Sequence, residues 1–284
     1  MIIKDIIRDL RRRFAEAVSR NRGEGILFSG GLDSALVAAY SGKSKAISVG
    51  LESYGEDQYY AGEVARSINL EHYHKTVKIE EAIAVIPEVI KILESFDPSI
   101  PNDVTAYLML KIKDLEEYLA LMYSAMRFSS NKIGETLGVD IKQPFLDKEF
   151  MDFSRGIDLA LKIREENGKT WGKWILRKAF EGVLPQEILW QTKRPLEYGS
   201  GMTELRKVIE SRVSDEEFEE SKKKYPVAFW NKEHFYYYRI YREVVGEIPA
   251  PKKGQKICEW CGAGMDRNAF HCRICGGVTE WKSL

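Results

Sequence analysis

The stretch of sequence that decides the fold is ILFSGGLDS, residues 26–34. An apolar strand pattern ends at Phe28, two glycines follow, and a helical pattern begins near Asp33. At such a junction the first backbone N–H groups of the helix have no partner within the helix and lie at the positive end of its dipole. Glycine lets an anion approach the backbone closely. The junction is therefore typical of a cradle for a phosphate or pyrophosphate group.

The side chains of this stretch add chemistry to the cradle. Ser29 and Ser34 offer hydroxyl donors. The carboxylate of Asp33 would repel a bare phosphate, so its predicted use is to hold Mg²⁺ that bridges to phosphate oxygens. An ordinary helix start with Asp33 as a capping residue is the alternative. The junction alone leaves both interpretations open.

Outward from this stretch, strand and helix patterns alternate. Apolar residues recur at helical spacing over the first twenty residues. A second strand, KAISVGL (45–51), precedes a helix around 57–68, and a third strand follows near 71–77. This order predicts βαβ units and a parallel sheet. Because residues 103–128 and 148–245 have helical patterns, we expect an α/β fold with a helical C-terminal half.

Length, charge and cysteine content narrow the class of protein. The chain has 284 residues with 43 Lys+Arg and 43 Asp+Glu, so bulk charge does not favour a protein that coats nucleic acid. No apolar run approaches the roughly 20 residues needed to cross a bilayer, and the N-terminus lacks a signal-peptide pattern. All four Cys follow residue 257. A secreted disulfide framework would spread them out, so we expect a cytoplasmic protein with one local metal site.

The cysteines form a C-x₂-C-x₁₀-C-x₂-C pattern. Thiolates at this spacing predict a tetrahedral, structural Zn²⁺ site. Redox use of either pair is the alternative, and the neighbouring His271 is a less suitable fourth ligand than a cysteine. The predicted metal ligands are Cys258, Cys261, Cys272 and Cys275.

The cysteine-rich segment is predicted to be a small domain of its own. GEIPAPKKGQK (246–256) replaces the helical pattern with Pro, Gly and Lys, which predicts a linker between a domain at 1–245 and a zinc ribbon at 257–284. Basic residues outnumber acidic ones in 251–284, and aromatic residues accompany them, a pattern compatible with RNA binding. A stabilising or dimerising module is equally compatible with this sequence.

The motif SGGLDS resembles the phosphate loop of the PP-loop ATP pyrophosphatases, which cleave ATP to AMP and pyrophosphate. Further motifs narrow the resemblance to the asparagine synthetase-like group, and it extends from about Gly25 to Gly201. These motifs are SVGLESYGEDQYYAGEVARSINLEHYH (48–74), QPFLDKEFMDFS (143–154) and GKTWGKWILRKAFEGVLPQEILWQTKRPLEYGSG (168–201).

The resemblance implies an amide ligase with ATP and Mg²⁺ as cofactors. A carboxylate such as aspartate attacks the α-phosphorus of ATP, pyrophosphate leaves, and ammonia displaces AMP from the acyl-adenylate. By family position Asp33 lies near Mg²⁺, and Lys193 neutralises charge on the bridging oxygen, a task that suits an ammonium group. The resemblance assigns ATP and pyrophosphate binding to Phe28, Ser29, Gly30, Gly31, Leu32, Asp33, Ser34 and Val49.

Two further charged residues fall within these motifs. Asp147 belongs to PFLD and Arg177 to ILR. Either side chain is expected to shape the substrate pocket or to be a buried, structural ion-pair member. The sequence leaves both interpretations open.

The match to the family departs first in its nitrogen source. Full asparagine synthetases begin with a glutaminase domain whose nucleophile is a cysteine at position two, where this chain has Ile2. No cysteine precedes residue 258, so no thiol nucleophile for glutamine hydrolysis is expected in that part. Nitrogen is expected to come from free ammonia, from a separate glutaminase subunit, or not at all.

The second departure lies near residues 112–114. The family carries a further strand and a Gly-x-Gly-x-Asp-Glu loop at this point. In the family, this loop supplies a second metal-binding Asp and a Glu that acts as a base. Here AYLMLKI runs straight into KDLEEYLALMYSAMRF. Either the segment is truly absent and adenylation is crippled, or a stretch is missing from the sequence as it stands. Removing an interior strand exposes two rows of backbone donors and acceptors, which favours the second explanation.

Two other functions stay open at this point. One is an RNA-modifying PP-loop enzyme that activates a base carbonyl and holds tRNA with the zinc ribbon. The other is a nucleotide-binding protein that retains the scaffold without catalysis. In each case the small-molecule substrates and the partners differ, and no membrane partner is expected.

Overall fold

The computed structural model describes residues 2–42, 45–52, 57–97, 129–166, 168–192, 201 and 203–278. The first elements in chain order are α1 Ile3–Arg20, β1 Gly25–Leu27, α2 Leu32–Tyr40, β2 Lys45–Leu51, α3 Asp57–Ser67, β3 His72–Val77, α4 Ile79–Ala84, α5 Ile86–Leu93 and α6 Ser129–Thr136. A 3₁₀ turn at Pro144–Leu146 follows. The later elements are α7 Lys148–Arg155, α8 Leu159–Lys162, β4 Ile163–Glu166, β5 Lys169–Gly172, α9 Trp174–Ala179, α10 Gln186–Leu189, α11 Glu204–Glu210, α12 Asp215–Lys224, α13 Lys232–Val244, β6 Lys256–Ile257 and β7 Gly264–Met265.

The chain folds as two compact units. Unit 1 comprises Met1–Lys78 and Ile141–Met202, and unit 2 comprises Ile79–Asp140 and Thr203–Leu284. No helix in the described part of the chain is long and apolar enough to cross a bilayer.

Unit 1 contains the predicted parallel sheet. Its strand order is β1-β2-β3, with both pairs parallel. Leu27 pairs with Ile47, and Ser48 pairs with His74, so the carboxyl ends of β1 and β2 lie at the same edge. The predicted α/β class and parallel sheet are therefore confirmed.

Helix α1 carries the apolar face that the sequence predicts. Its buried residues recur at helical spacing because only one side of the helix faces the core. Phe14 is the centre of that face: its ring lies 5.3 Å from the ring of Phe180 and 5.6 Å from that of Tyr40, edge to face. This helix thus joins α2 to the second half of unit 1.

The two faces of the sheet differ sharply in exposure. Ala46 and Ser48 are buried, whereas Leu27, Ile47, Val49 and Tyr73 are 70%, 45%, 43% and 50% exposed. Parallel sheets in proteins are normally covered on both faces. Among the described residues, β1 also has no strand on its outer edge. Within the described residues, one face and one edge of this sheet therefore lack the cover that parallel sheets normally have.

Residues 163–172 correct the expectation of helices throughout 148–245. They form an antiparallel hairpin of β4 and β5, in which Arg164 pairs with Trp171. The sequence signal for this hairpin is the Asn-Gly pair at 167–168. Two-residue hairpin turns need positive φ at their centre, and Asn-Gly is the pair that adopts it most readily. Gly168 has φ +71°.

Unit 2 consists of helices with the cysteine-rich segment packed into the same core. The strands β6 and β7 pair antiparallel, and the four thiols lie in an apolar cluster with Phe96, Phe235, Tyr238 and Tyr241. His234 is fully buried among these rings, and burial lowers its pKa to about 4, so the imidazole is neutral at pH 7. The predicted domain limits at 245 and 257 stay a prediction.

Candidate functional site

The loop between β1 and α2 leaves its first helical amides without acceptors. The N–H of Gly31 donates to Ser29 Oγ (3.3 Å), and Ser34 Oγ donates to the carbonyl of Gly31 (3.1 Å). The two serine hydroxyls are 3.2 Å apart. The N–H groups of residues 32–34 have no acceptor in the first helical turn, and none among the other described residues. The loop therefore presents a row of free donors, as its sequence predicts.

Gly30 sets how closely this loop approaches α3. It has φ +70°, and a Cβ atom there would lie 2.5 Å from the backbone nitrogen of Ala61. Only glycine fits both constraints. The carbonyl of Gly30 accepts a hydrogen bond from Gln191 Nε2 at 3.3 Å. The loop is thus held from two sides while its amides stay open.

Asp33 is paired with a lysine that sequence reasoning missed. Lys173 Nζ lies 2.7 Å from Asp33 Oδ1 and 2.5 Å from Oδ2, and both side chains are about half exposed. Lys173 immediately precedes α9 and has φ +57° in the left-handed region, an uncommon conformation for a residue with a side chain. The available sequence signal was its place at the start of KWILR (173–177), within the family motif at 168–201. An ammonium group and a carboxylate therefore meet beside the open amides.

The other predicted nucleotide residues divide into buried and accessible groups. Phe28 is buried, and its ring packs edge-on against His72 at 5.5 Å. Leu32 is also buried in the core of unit 1. Only the backbones of these two residues are thus available to a ligand. Val49 lies on the exposed face of the sheet.

A second unpredicted feature is a polar cluster on the buried face of the sheet. Ser48 Oγ lies 2.8 Å from His72 Nε2 and 2.8 Å from His74 Nδ1. Burial lowers the pKa of both histidines. His72 and His74 are two residues apart on β3, and residues at that spacing lie on the same face of a strand. The sequence could therefore have indicated that the two histidines lie together. The cluster satisfies polar groups next to Phe28.

Arg177 is buried and donates mainly to backbone carbonyls. Its Nε bonds to Gly172 O (2.9 Å) and its Nη1 to Gln191 O (3.2 Å) and to Leu189 O. Burial lowers the pKa of the guanidinium, while the nearby charge of Asp33 acts in the opposite direction. These contacts correspond to a structural role and hold the segment that carries Gln191.

Asp147 likewise has structural contacts. Its carboxylate accepts two hydrogen bonds from Arg20, at 2.9 and 2.6 Å, and one from the N–H of Phe150 at 3.2 Å, which caps α7. The bond from Arg20 is the main cause that lowers the pKa of Asp147. The carboxylate therefore connects the end of α1 to the start of α7.

The predicted metal ligands converge in unit 2. The four sulfur atoms lie within 4.8 Å of one another, and all four side chains are buried. Cys258 and Cys275 are 3.7 Å apart, as are Cys261 and Cys272. Tetrahedral Zn²⁺ with Zn–S bonds of about 2.3 Å requires sulfur atoms about 3.8 Å apart. The geometry fits such an ion.

Two predicted features fall outside the described residues. These are Lys193, the candidate cation, and the connection Ile112–Asp114, where the family segment is missing.

Comparison with known proteins identifies similar sequences over most of the chain. The profile of one family, described as asparagine synthase, matches residues 9–115 and 114–247. The probable glutamine-hydrolyzing asparagine synthetase of Dictyostelium discoideum is 27% identical over 347 residues, covering 98% of this chain and 62% of that protein. Asparagine synthetase B of Escherichia coli K12 is 28% identical over 293 residues, covering 82% of this chain and 51% of that protein. The chain thus spans about half to three-fifths of the length of these relatives.

These alignments contain a gap inside this chain. The 347 aligned residues of the Dictyostelium comparison exceed the 284 residues of the chain, so the relative has residues that this sequence lacks. The two stretches matched by the family profile meet at residues 114–115. That position agrees with the place where the sequence predicts a missing strand and loop.

Replacing Gly30 by Ala tests the packing of the loop on α3. Gly42 is a matched control, because it has φ +76° and no atom within 4 Å of an added Cβ. The left-handed backbone alone costs about 1–2 kcal/mol for a residue with a Cβ. We expect Gly42→Ala to show that loss and Gly30→Ala at least twice as much in urea unfolding. Equal losses would contradict the close approach.

Replacing Asp147 by Ala tests its structural role. We expect a loss of about 1–2 kcal/mol in the free energy of unfolding, because an N-cap disappears together with an ion pair in which Asp147 is 10% and Arg20 is 40% exposed. Asp152→Ala, which removes an exposed pair with Lys148, should cost no more than about 0.5 kcal/mol.

The same aspartate predicts an acid dependence of stability. The folded pKa of Asp147 is lowered, so its stabilisation is present above the unfolded pKa and is lost as the pH falls through the folded pKa. Unfolding measured from pH 5 downward should therefore depend less on pH in Asp147→Asn than in the wild type. Parallel curves would show that the Arg20 pair does not form in solution.

Proposed function

Because the chain belongs to the asparagine synthase family, we propose that it is an ATP-dependent, AMP-forming amide ligase that adenylates a carboxylate such as aspartate for attack by ammonia. One observation carries the proposal: open amides, two hydroxyls, a carboxylate and an ammonium group meet at the start of α2. That combination suits a nucleotide polyphosphate with its divalent ion.

The backbone of the loop is the proposed pyrophosphate site. The amides of residues 32–34 point outward at the positive end of the α2 dipole, which favours an anion. The hydroxyl of Ser29 is proposed to donate a further hydrogen bond from the same turn, whereas the hydroxyl of Ser34 already donates to the carbonyl of Gly31. Because Gly30 is clamped between α3 and Gln191, these donors are preorganised and need no rearrangement when charge develops.

Asp33 and Lys173 are the proposed metal and phosphate contacts. A carboxylate is the ligand type that Mg²⁺ prefers, and the bound ion would neutralise phosphate charge. Lys173 already lies at Asp33, so its ammonium group would add positive charge beside a divalent ion held by that carboxylate. We therefore assign Lys173 to charge neutralisation beside the loop.

The proposed roles of the remaining candidates follow from their contacts. Lys193 remains the proposed cation at the bridging oxygen, two residues beyond Gln191. Arg177 is proposed to fix the segment before it by holding the carbonyls of Leu189 and Gln191. Asp147 is proposed to stabilise the fold rather than to bind substrate, because Arg20 and Phe150 take its oxygens.

Nitrogen and zinc complete the proposal. All four cysteines of the sequence lie in one buried cluster, which leaves none for glutamine hydrolysis within these 284 residues. Free ammonia or a separate glutaminase subunit is therefore the proposed nitrogen source.

The cluster of four cysteines is proposed to hold Zn²⁺, since its sulfur spacing fits a tetrahedral ion.

Product analysis tests the proposed reaction. With ATP, Mg²⁺, aspartate and ammonium, we expect release of AMP and pyrophosphate in amounts equal to the asparagine formed. A panel of other carboxylic acids identifies the acceptor if aspartate is inactive. Pyrophosphate release that requires tRNA would favour an RNA-modifying enzyme, and nucleotide binding without release under any condition would contradict catalysis.

Replacing Lys173 by Met tests the phosphate contact. We expect kcat/KM for ATP to fall about 10²-fold or more, as when one charge-stabilising donor is removed from an active site. Lys148→Met is the matched control, since it removes a comparable Lys–Asp pair on an exposed helix surface. A similar small effect of both substitutions would exclude Lys173 from the site.

A further inference from the structure

The four thiols lie inside the apolar core of unit 2. They share one cluster with Phe96, after α5, and with Phe235, Tyr238 and Tyr241 of α13. A self-contained ribbon would bury its cysteines against its own residues. Here, most of the apolar residues that share the cluster with the thiols come from elsewhere in unit 2.

A residue between the two cysteines of each pair is hydrogen-bonded to a different part of unit 2. In the first pair, the carbonyl of Trp260 accepts from the N–H of Ala228, just before α13, at 2.8 Å. In the second pair, the carbonyl of Ile274 accepts from the N–H of Phe96 at 2.7 Å and from Ser95 Oγ at 3.1 Å. An ion that joins the two pairs thereby joins the end of α5 to the start of α13.

Residues next to the second cysteine pair pack closely against Asp97, which follows α5. His271 Nε2 lies 3.1 Å from Asp97 Oδ2, and a Cβ atom on Gly276 would lie 2.5 Å from Asp97 Oδ1. In the first pair the equivalent residue, Gly262, has a nearly identical φ of +77° but nothing within 4 Å of an added Cβ. The two glycines therefore make the same turn, and only one of them contacts the helical unit.

We propose that the metal ion held by the four cysteines is a structural centre of the whole of unit 2, which fixes α5 and α13 together. Metal binding to clustered thiolates supplies folding free energy, because the site does not exist in the unfolded chain. Without the ion no metal–sulfur bonds join the two cysteine pairs, and the hydrogen bond from Trp260 Nε1 to the carbonyl of Val278 (3.1 Å) is what links their segments. We therefore expect the aromatic core around the thiols to lose part of its packing. The inference rests on the proposed Zn²⁺ ligation and is independent of the ligase assignment.

Zinc removal from the full chain is the direct test. The described ribbon residues, 256–278, contain no helix, so a change confined to them leaves helical circular dichroism at 222 nm unaltered. We expect chelation to reduce that signal and to speed amide exchange in α5 and α13 by about tenfold or more. Peptides of α1 in unit 1 serve as the internal control, and added zinc sulfate should restore protection.

A pair of glycine variants separates docking from metal ligation. Gly276→Ala and Gly262→Ala impose the same backbone strain and keep all four cysteines, so both should retain one zinc ion per chain. Only Gly276→Ala inserts a methyl group against Asp97. We expect faster amide exchange in α5 and α13 for Gly276→Ala than for Gly262→Ala.

Three results would overturn the inference. A chain that binds no zinc after reconstitution lacks the metal itself. Equal amide exchange in α13 with and without zinc shows that α13 does not depend on the ion. Equal exchange in the two glycine variants shows that the second cysteine pair does not hold α5. None of these results bears on ATP cleavage, which is measured separately.

Discussion

The amides at the start of α2 have no acceptor inside the described protein, and the architecture of unit 1 serves to keep them so. Gly30 accomplishes this by allowing the backbone of α3 to approach within a distance that a side chain would block. The loop is thereby held tightly without using its own donors. Asp33 and Lys173 bring opposite charges to the same turn, so a polyphosphate with its divalent ion would find both kinds of partner there.

Much of this arrangement could be predicted from sequence, because it depends on local patterns. Strands β2 and β3 follow from alternating and apolar runs, α1 from helical spacing, and the metal ligands from the spacing of four cysteines. Pairings between distant residues could not be predicted. Nothing local indicates that Lys173 reaches Asp33, or that Arg20 takes both oxygens of Asp147. The hairpin at 163–172 was missed although its Asn-Gly turn was present in the sequence.

Among the described residues, one face of the sheet and the outer edge of β1 have no cover. A parallel sheet needs neighbours on both faces, and β1, which leads to the phosphate loop, needs a strand beside it. The aligned Dictyostelium relative has residues that this sequence lacks, and the two stretches matched by the family profile meet at residues 114–115. That a strand and a loop missing from this place cover exposed apolar residues such as Leu27 and Val49 stays a prediction.

The central claim is that the amides of residues 32–34 bind the phosphates of a nucleotide. Titration of the ¹⁵N-labelled chain with pyrophosphate and Mg²⁺, followed by amide chemical shifts, tests it most directly. The account predicts saturable shifts that are largest at Leu32, Asp33 and Ser34, with smaller changes elsewhere in unit 1. Binding that leaves these three amides unmoved, or no binding at all, would contradict it.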